Sequence, residues 1–421
     1  MSFKKLILHM SKIFFYILTI SLFFPNHADF NNQMSDKSNL DFKYETGNTM
    51  LNDKITFPFE LVLNHIIVKA KINGNNEFKL ALDTGMPVGG IILFKNEKSE
   101  KLNLNYSGQT YIGGAGGDPV PADIAAGVKI EIGNLQLVNQ QAIVMPINKK
   151  VITSLESDGI IGYELFSRYL LQIDFENSSI NLWSNTSEAN SELGQKLNLE
   201  IRQNYPFIQC YSEIKSGNEF PIDLVLDLGA SHALSLDLIS NKNFSLPENI
   251  KESRIGTGAI GDIFGHIGRV SKFSLGEYSF FNVVTTFSNG PIAKGFLKCN
   301  GNLGVDILRR FTVTFDYQNT KIYLKPNIHF DDLFVFNMAG FQFHKKNDGN
   351  FIVDYIVKNS PADEAGLMLN DTITEINGKQ ANLTSADEFD KIIKQKNKSL
   401  KLKIKRESEV LNFEFKLTEI I

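Results

Sequence analysis

The sequence predicts a mainly β protein made of two related lobes, followed by a separate α+β domain. Three observations carry this prediction. From about Ile55 to Leu324, runs of β-branched and aromatic residues alternate with turn signals such as Asn73-Gly74 and Ser216-Gly217. Within that stretch one ordered set of landmarks occurs twice, the mark of an internal duplication. After Pro326 the pattern changes to strands mixed with an amphipathic helix.

The chain has 421 residues, 43% of them hydrophobic, enough for two or three domains with a sizeable core. Charges nearly balance at −4 and no Lys/Arg block stands out, so nucleic acid is not expected as a partner. Lys4, Lys5 and Lys12 precede an apolar run from Ile13 to Phe24 that Pro25 closes, the pattern of an export signal. A membrane helix takes roughly 20 apolar residues, more than this run supplies, so residues 1–28 are expected to be cleaved near Ala28. Left uncleaved, the same run would serve as an N-terminal membrane anchor. Residues 29–53 are polar, lack sustained periodicity and read as a linker.

The two cysteines, Cys210 and Cys299, fit either a disulfide in an exported chain or two free thiols. The seven His residues show no metal-ligand spacing, so no metal is expected. No phosphate loop or dinucleotide fingerprint implies a cofactor, and no Gly-x-Ser-x-Gly elbow points to a serine hydrolase.

The duplicated landmarks divide the β-rich part into lobes at 54–190 and 191–328. In the first copy NEFKLALDTG ends a strand at Asp83-Thr84-Gly85; in the second NEFPIDLVLDLG ends one at Asp227-Leu228-Gly229. Farther on, DGIIGYELFSRYLLQIDFENSSINLW (Asp158 to Trp183) matches NGNLGVDILRRFTVTFDYQNTKIYLK (Asn300 to Lys325). Between these landmarks each copy carries a Gly-rich stretch, YIGGAGGDP from Tyr111 and RIGTGAIGD from Arg254.

An Asp that ends an apolar strand before a Gly-containing turn sits on a sharp bend where Gly relieves the steric restriction. Two such turns related by an approximate two-fold axis can meet, and their carboxyl groups then share one proton. Like charges that close cannot both ionise, so one group acts as acid and the other as base. Such a pair activates a water against an amide carbonyl without a metal. His232 reads as a turn or pocket-wall residue, and Asp174 and Asp316 as turn formers after paired strands.

On these motifs, LALDTG and LVLDLG with the later elements Ile160 to Gly162 and Asn302 to Gly304, the chain resembles the pepsin-like and retropepsin-like aspartic proteases from about Ile55 to Lys325. The resemblance implies a pepsin-like double β-barrel and an aspartic endopeptidase acting on polypeptides. It assigns Asp83 and Asp227 as the catalytic pair, on turns formed by Thr84, Gly85, Leu228 and Gly229. It also implies flaps at Gly113, Gly114 and Gly116 in one lobe and Gly256 and Gly258 in the other, covering a bound peptide. With both lobes in one chain, a monomer suffices.

Two departures matter. Leu228 stands where the family has Thr, which removes one of two cross-lobe hydroxyl hydrogen bonds. Met86 and Ala230 stand three residues after each Asp, where a hydroxyl usually supports the anion. Less support raises the carboxyl pKa and implies a pH optimum nearer neutral. Leu228 also raises the alternative of a degenerate fold that holds peptides without cutting them.

Residues 329–421 resemble the PDZ modules of exported bacterial proteases, most specifically over SPADEAGLMLNDTITEINGK from Ser360 to Lys379. That resemblance implies a bacterial protein of the periplasm or cell surface. It assigns Ala339, Gly340 and Phe341 to a turn that takes the C-terminal carboxylate of a peptide tail, the peptide adding a strand to the sheet. Phe389 and Ile393 would line the side-chain pocket, from a helix opened by a Ser385–Glu388 capping box.

Overall fold

The computed structural model describes residues 20–22, 54–146, 155–183, 191–289 and 298–421, apart from 216 and 243. The expected cleavage point near Ala28 and the linker therefore lie outside the described residues. Of the leader, only the short strand β1 (Ile20–Leu22) is described, paired with the first-lobe strand Asn105–Gly114.

The first lobe contains β2 (Ile55–Pro58), β3 (Glu60–Val62), β4 (His65–Ile72), β5 (Asn75–Leu82), β6 (Ile91–Phe94), α1 (Glu97–Glu100), β7 (Asn105–Gly114), β8 (Val120–Ile132), β9 (Leu135–Met145), β10 (Gly159–Ile161), α2 (Tyr163–Phe166), β11 (Leu170–Asp174) and β12 (Ser179–Trp183). Strands β4, β5, β10, β6, β9 and β8 pair in that order, and β8 returns to β4 to close a barrel. Closure leaves these strands no free edge. The period of two explains the filling: Ile66, Val68, Ala70 and Ile72 of β4 enter the large core while Ile67 joins a smaller cluster on the other side.

The second lobe repeats the plan with β13 (Gln195–Asn198), β14 (Glu200–Arg202), β15 (Tyr205–Glu213), β16 (Phe220–Leu226), β17 (Leu234–Asp237), β18 (Lys251–Thr257), β19 (Asp262–Leu275), β20 (Tyr278–Ser288), β21 (Gly301–Leu303), α3 (Val305–Leu308), β22 (Phe311–Asp316) and β23 (Lys321–Pro326). Here β15, β16, β21, β17, β20 and β19 close the barrel in the equivalent order. A six-stranded sheet, β13-β23-β22-β11-β12-β2, joins the lobes, with Leu171 opposite Phe315 at its centre. Asp174 accepts from the backbone and side chain of Asn177, and Asp316 does the same from Asn319, so both are the turn formers expected.

The chain then crosses lobe 2, where Phe330 and Phe334 pack on Phe280, and the Arg310 guanidinium lies 3.8 Å from the Phe334 ring centre. The C-terminal domain follows with β24 (Phe341–Lys345), β25 (Phe351–Ile356), α4 (Pro361–Glu364), β26 (Thr372–Ile376), β27 (Lys379–Gln380), α5 (Ala386–Ile393), β28 (Ser399–Arg406) and β29 (Glu409–Lys416). Ser385 caps α5 by accepting from the Glu388 N–H, but the Glu388 carboxylate reaches Lys379 instead of returning to the cap, so the box is half formed. Strand β24 lies at the sheet edge.

The double barrel and the α+β C-terminal domain are the architecture expected. Cys210 and Cys299 are both free thiols. Among the described residues no His/Cys/Asp/Glu cluster could hold a metal, and no helix is long and apolar enough to cross a membrane.

Candidate active site

Each predicted Asp ends a barrel strand whose parallel neighbour ties the turn down. The Asp83 N–H donates to Ile161 O and the Asp227 N–H to Leu303 O, each at 2.9 Å. The strand registers match as well: Ile160 lies opposite Ala81 and Asn302 opposite Val225, each two residues before its Asp.

The structure brings both carboxyl groups together, and both are fully buried. The Gly229 N–H lies 3.1 Å from Asp83 Oδ1 and 3.0 Å from Asp227 Oδ1, so one amide serves both groups. Gly85 N–H donates to Asp83 Oδ1 at 2.6 Å. A Cβ on Gly85 would fall 2.9 Å from Oδ1 of each Asp, and one on Gly229 would fall 2.5 Å from Asp83 Oδ2, which is why both positions are Gly. Burial, then the charge of Asp227, push the Asp83 carboxyl well above the usual range against the pull of its two amide donors.

Thr84 keeps its half of the cross-lobe brace. Its hydroxyl donates to Leu226 O at 2.7 Å and accepts from the Leu228 N–H at 2.9 Å. The Leu228 side chain, with no hydroxyl to return the bond, is buried in the main core. Met86 and Ala230 are likewise buried, and their side chains offer no donor.

Sequence reasoning missed the donor that takes over on one side. Asn302 Nδ2 donates to Asp227 Oδ2 at 2.7 Å, and Asn302 Oδ1 lies 2.9 Å from His232 Nε2. His232 is therefore more than a pocket-wall residue, since it holds the side chain that holds Asp227. The signal was present in the aligned elements, where Asn302 stands opposite Ile160 in an otherwise apolar pattern.

The Gly-rich stretches are tips of the β7–β8 and β18–β19 hairpins, and the two tips meet. A Cβ on Gly116, where φ is +93°, would lie 1.9 Å from Gly261 O, and one on Gly258 would lie 1.8 Å from Ala115 O. Both lobes thus contribute a hairpin tip to this contact. Gly113 and Gly114 end β7 and Gly256 lies within β18, flanking the contact. Beneath the second tip Asp262 accepts from Arg254 Nη1 and Thr257 Oγ1.

In the C-terminal domain the expected carboxylate turn is filled from within. The N–H groups of Ala339 and Gly340 both donate to Asn337 Oδ1 at 3.0 Å, and the Met338 N–H donates to Ile393 O. A peptide carboxylate would have to displace the Asn337 amide. Phe389 is fully buried against Phe341, Phe343 and Phe351, the Phe343 ring stacking at 4.4 Å, and Ile393 is buried beside them. Phe341 and Phe389 are thus core, and the half-buried Phe343 covers Phe389 from the β24 edge. Between this domain and the lobes lies a cavity of about 750 Å³ lined by His232, Asp306, Arg309, Asn64, Phe343 and Lys394, among others.

Residues 68–165 match the family model described as aspartyl protease, and residues 352–406 match the PDZ domain model. Similar solved structures include an aspartic proteinase from Irpex lacteus, at 11% identity over 66% of this chain and 99% of that one, with a TM-score of 0.39. An aminopeptidase N family protein from Idiomarina loihiensis matches at 19% identity and a TM-score of 0.18, over 20% of this chain and 14% of its own. No curated protein matches the sequence. The first lobe thus carries an aspartyl protease match and the C-terminal domain a PDZ match, and the second lobe repeats the first lobe's plan around the same pair of carboxyl groups.

Proposed function

We propose that the protein is an aspartic endopeptidase that hydrolyses polypeptides with a water activated between Asp83 and Asp227. The observation that carries this reading is the single Gly229 amide within 3.1 Å and 3.0 Å of the two buried carboxyl groups. Asp227 has a donor on each oxygen and is the favoured anion. Asp83 Oδ2 accepts from no donor among the described residues, and its carboxyl favours the proton.

In the first step water loses a proton to Asp227 as its oxygen bonds the amide carbon, while Asp83 gives its proton to the carbonyl oxygen. The product is a neutral gem-diol. In the second, Asp227 returns its proton to the amide nitrogen as the C–N bond breaks, and a diol hydroxyl reprotonates Asp83. Acid and amine leave, and the dyad is restored. The meeting flap tips keep bulk water out and must part to admit a substrate.

The PDZ domain regulates this opening in the same reading. Tyr355 donates to Glu252 O of the second flap at 3.2 Å, and Ile255 and Ile267 of that hairpin pack with Phe336, Val357, Ile420 and Ile421. A peptide tail pairing with the β24 edge and displacing Asn337 would act on this brace. One chain supplies both carboxyl groups, so a monomer is the proposed working unit. The export pattern makes the bacterial periplasm or cell surface the proposed compartment.

Leu228 favours a second reading, a protein that holds peptides in the cleft without cutting them. Incubating an unfolded protein substrate with the purified chain between about pH 3 and pH 8, beside Asp83→Asn and Asp227→Asn, separates the two. Cleavage lost in both variants supports the endopeptidase. Binding without cleavage at any pH supports the second reading.

A further inference from the structure

The two halves of the site differ at one buried position that the duplication makes directly comparable. Ile160 and Asn302 occupy the same register beside the strands that end in Asp83 and Asp227. The first lobe buries a hydrocarbon there, at 0% exposure, and the second buries a carboxamide at 6%. A buried amide costs free energy unless its groups are paired, and those of Asn302 are: Nδ2 to Asp227 Oδ2 at 2.7 Å and Oδ1 to His232 Nε2 at 2.9 Å.

The hydrogen-bond inventory then fixes the tautomer. A carboxamide oxygen only accepts, so His232 Nε2 must carry the hydrogen. In the opposite tautomer two acceptors would face each other, and the amide could turn its oxygen onto the carboxylate. Burial holds the ring neutral, its pKa lowered to about 4 against the pull of the Asn302 hydrogen bond and the Asp306 charge, with His65 adding to the lowering. The His232 backbone is held as well, its carbonyl accepting from the Asp306 N–H at the start of α3.

We infer that Asn302, oriented by His232, is a positioning residue that makes Asp227 the ionised member of the dyad and leaves the proton on Asp83. This rests on the endopeptidase reading for its effect on rate, though not for its effect on titration. The pair takes the place, in one lobe alone, of the hydroxyl that Ala230 lacks. A donor to the carboxylate stabilises its charged form and lowers the lower apparent pKa of the dyad. Removing that donor raises it.

The test uses the full chain and three variants. Asn302→Ile copies the first lobe, His232→Leu removes the donor that orients the amide, and His232→Gln keeps a donor at similar reach. For Asn302→Ile the acid limb of the kcat/KM profile should rise by about 1 pH unit or more, as expected for one hydrogen bond to a charged group. At the acid end kcat should fall about tenfold per unit, with KM nearly unchanged. His232→Leu should move the limb in the same direction, and His232→Gln should restore it. Carbon-13 titration of the Asp carboxyl groups, assigned with Asp83→Asn and Asp227→Asn, reads the same shift without turnover. If the parent cleaves and neither Asn302→Ile nor His232→Leu changes the profile or the titration, the inference is overturned while the endopeptidase reading stands. A parent that never cleaves but whose Asp227 titration shifts in Asn302→Ile keeps the inference and removes the endopeptidase reading.

Discussion

Thr84→Val tests how much of the site hangs on one hydroxyl. The substitution keeps the shape and removes the oxygen that donates to Leu226 O at 2.7 Å and accepts from the Leu228 N–H at 2.9 Å. Both partners belong to fully buried residues, so no water replaces the lost bonds. Each stranded group costs about 1–3 kcal/mol, which gives about 2–6 kcal/mol for the pair. That is a large share of the 5–15 kcal/mol typical of a folded protein. In a symmetric site a second hydroxyl would keep the turns joined, but Leu228 supplies none. Urea unfolding of Thr84→Val should therefore show a lower midpoint with an unchanged slope, and cleavage should fall with it. Thr84→Ser, which keeps the hydroxyl, should stay within about 1 kcal/mol of the parent. If Val and Ser variants lose the same amount, the methyl and not the hydroxyl matters, and the argument for a one-sided brace is wrong.

On the endopeptidase reading Gly85→Ala and Gly229→Ala should each abolish cleavage while the fold persists by circular dichroism, because the added carbon would sit 2.9 Å or less from carboxyl oxygens of Asp83 and Asp227. Deleting Ile420 and Ile421 removes two side chains from the cluster that packs on the β18–β19 hairpin, each worth about 1.5–3 kcal/mol when buried. Amide exchange over residues 251–257 should then quicken more than in the first barrel. Burial raises the Cys299 thiol to about 11, so at pH 8 only about one molecule in a thousand is thiolate; alkylation followed by mass spectrometry should be slow at pH 8 and speed up with each unit. Because the folded-state pKa of His232 lies below its ordinary value, its contribution is complete above about pH 6.5 and is lost as pH falls toward about 4. The loss reaches about 3 kcal/mol, and melting curves of His232→Gln should lack that slope. Asp83 acts in the opposite sense, holding its proton in the fold, so the difference between parent and variant is the quantity to read.

Much of this was legible in the sequence because duplication converts weak local signals into a repeated one. A lone Asp-Thr-Gly is an ordinary turn, but a second copy at the end of a matching strand requires the same geometry twice. The turn role of Asp174 and Asp316 was readable for the same reason, since each is followed three residues later by Asn. What stayed hidden depends on partners far apart in the chain. Asn302 lies 75 residues from Asp227 and 70 from His232, and nothing local marks a lone Asn in an apolar strand as a donor to a carboxylate. Asn337 was hidden differently. It lies two and three residues before the amides it satisfies, but a loop read by resemblance to peptide-binding turns gave no reason to look for an occupant from within. The meeting of the two hairpin tips was missed because each Gly run was read alone, whereas their need for Gly comes from each other.

A site made from two copies starts symmetric, and symmetry does not suit an acid and a base. Two identical carboxyl groups share a proton with no preference, and either can take either role. This chain breaks the tie with few changes, each in one lobe. Lobe 1 keeps the hydroxyl that ties the turns together, and its hydrocarbon at Ile160 gives Asp83 no added support. Lobe 2 gives up the matching hydroxyl at Leu228 and gains the carboxamide at Asn302, which donates to Asp227 Oδ2. Leu228 taken alone reads as decay of an active site. Beside Asn302 it reads as division of labour, in which stabilising the turns and polarising the dyad fall to different lobes. Leu228→Thr separates these views. It would offer a new cross-lobe bond worth about 0.5–1.5 kcal/mol, against the loss of well-packed hydrocarbon in the core that, for Leu→Ala, costs about 2–5 kcal/mol. If Leu228 marks a specialised lobe, Leu228→Thr lowers stability by about 1–3 kcal/mol and leaves the acid limb of the profile where it was. A variant that gains both stability and rate would show that the lost hydroxyl had been a defect.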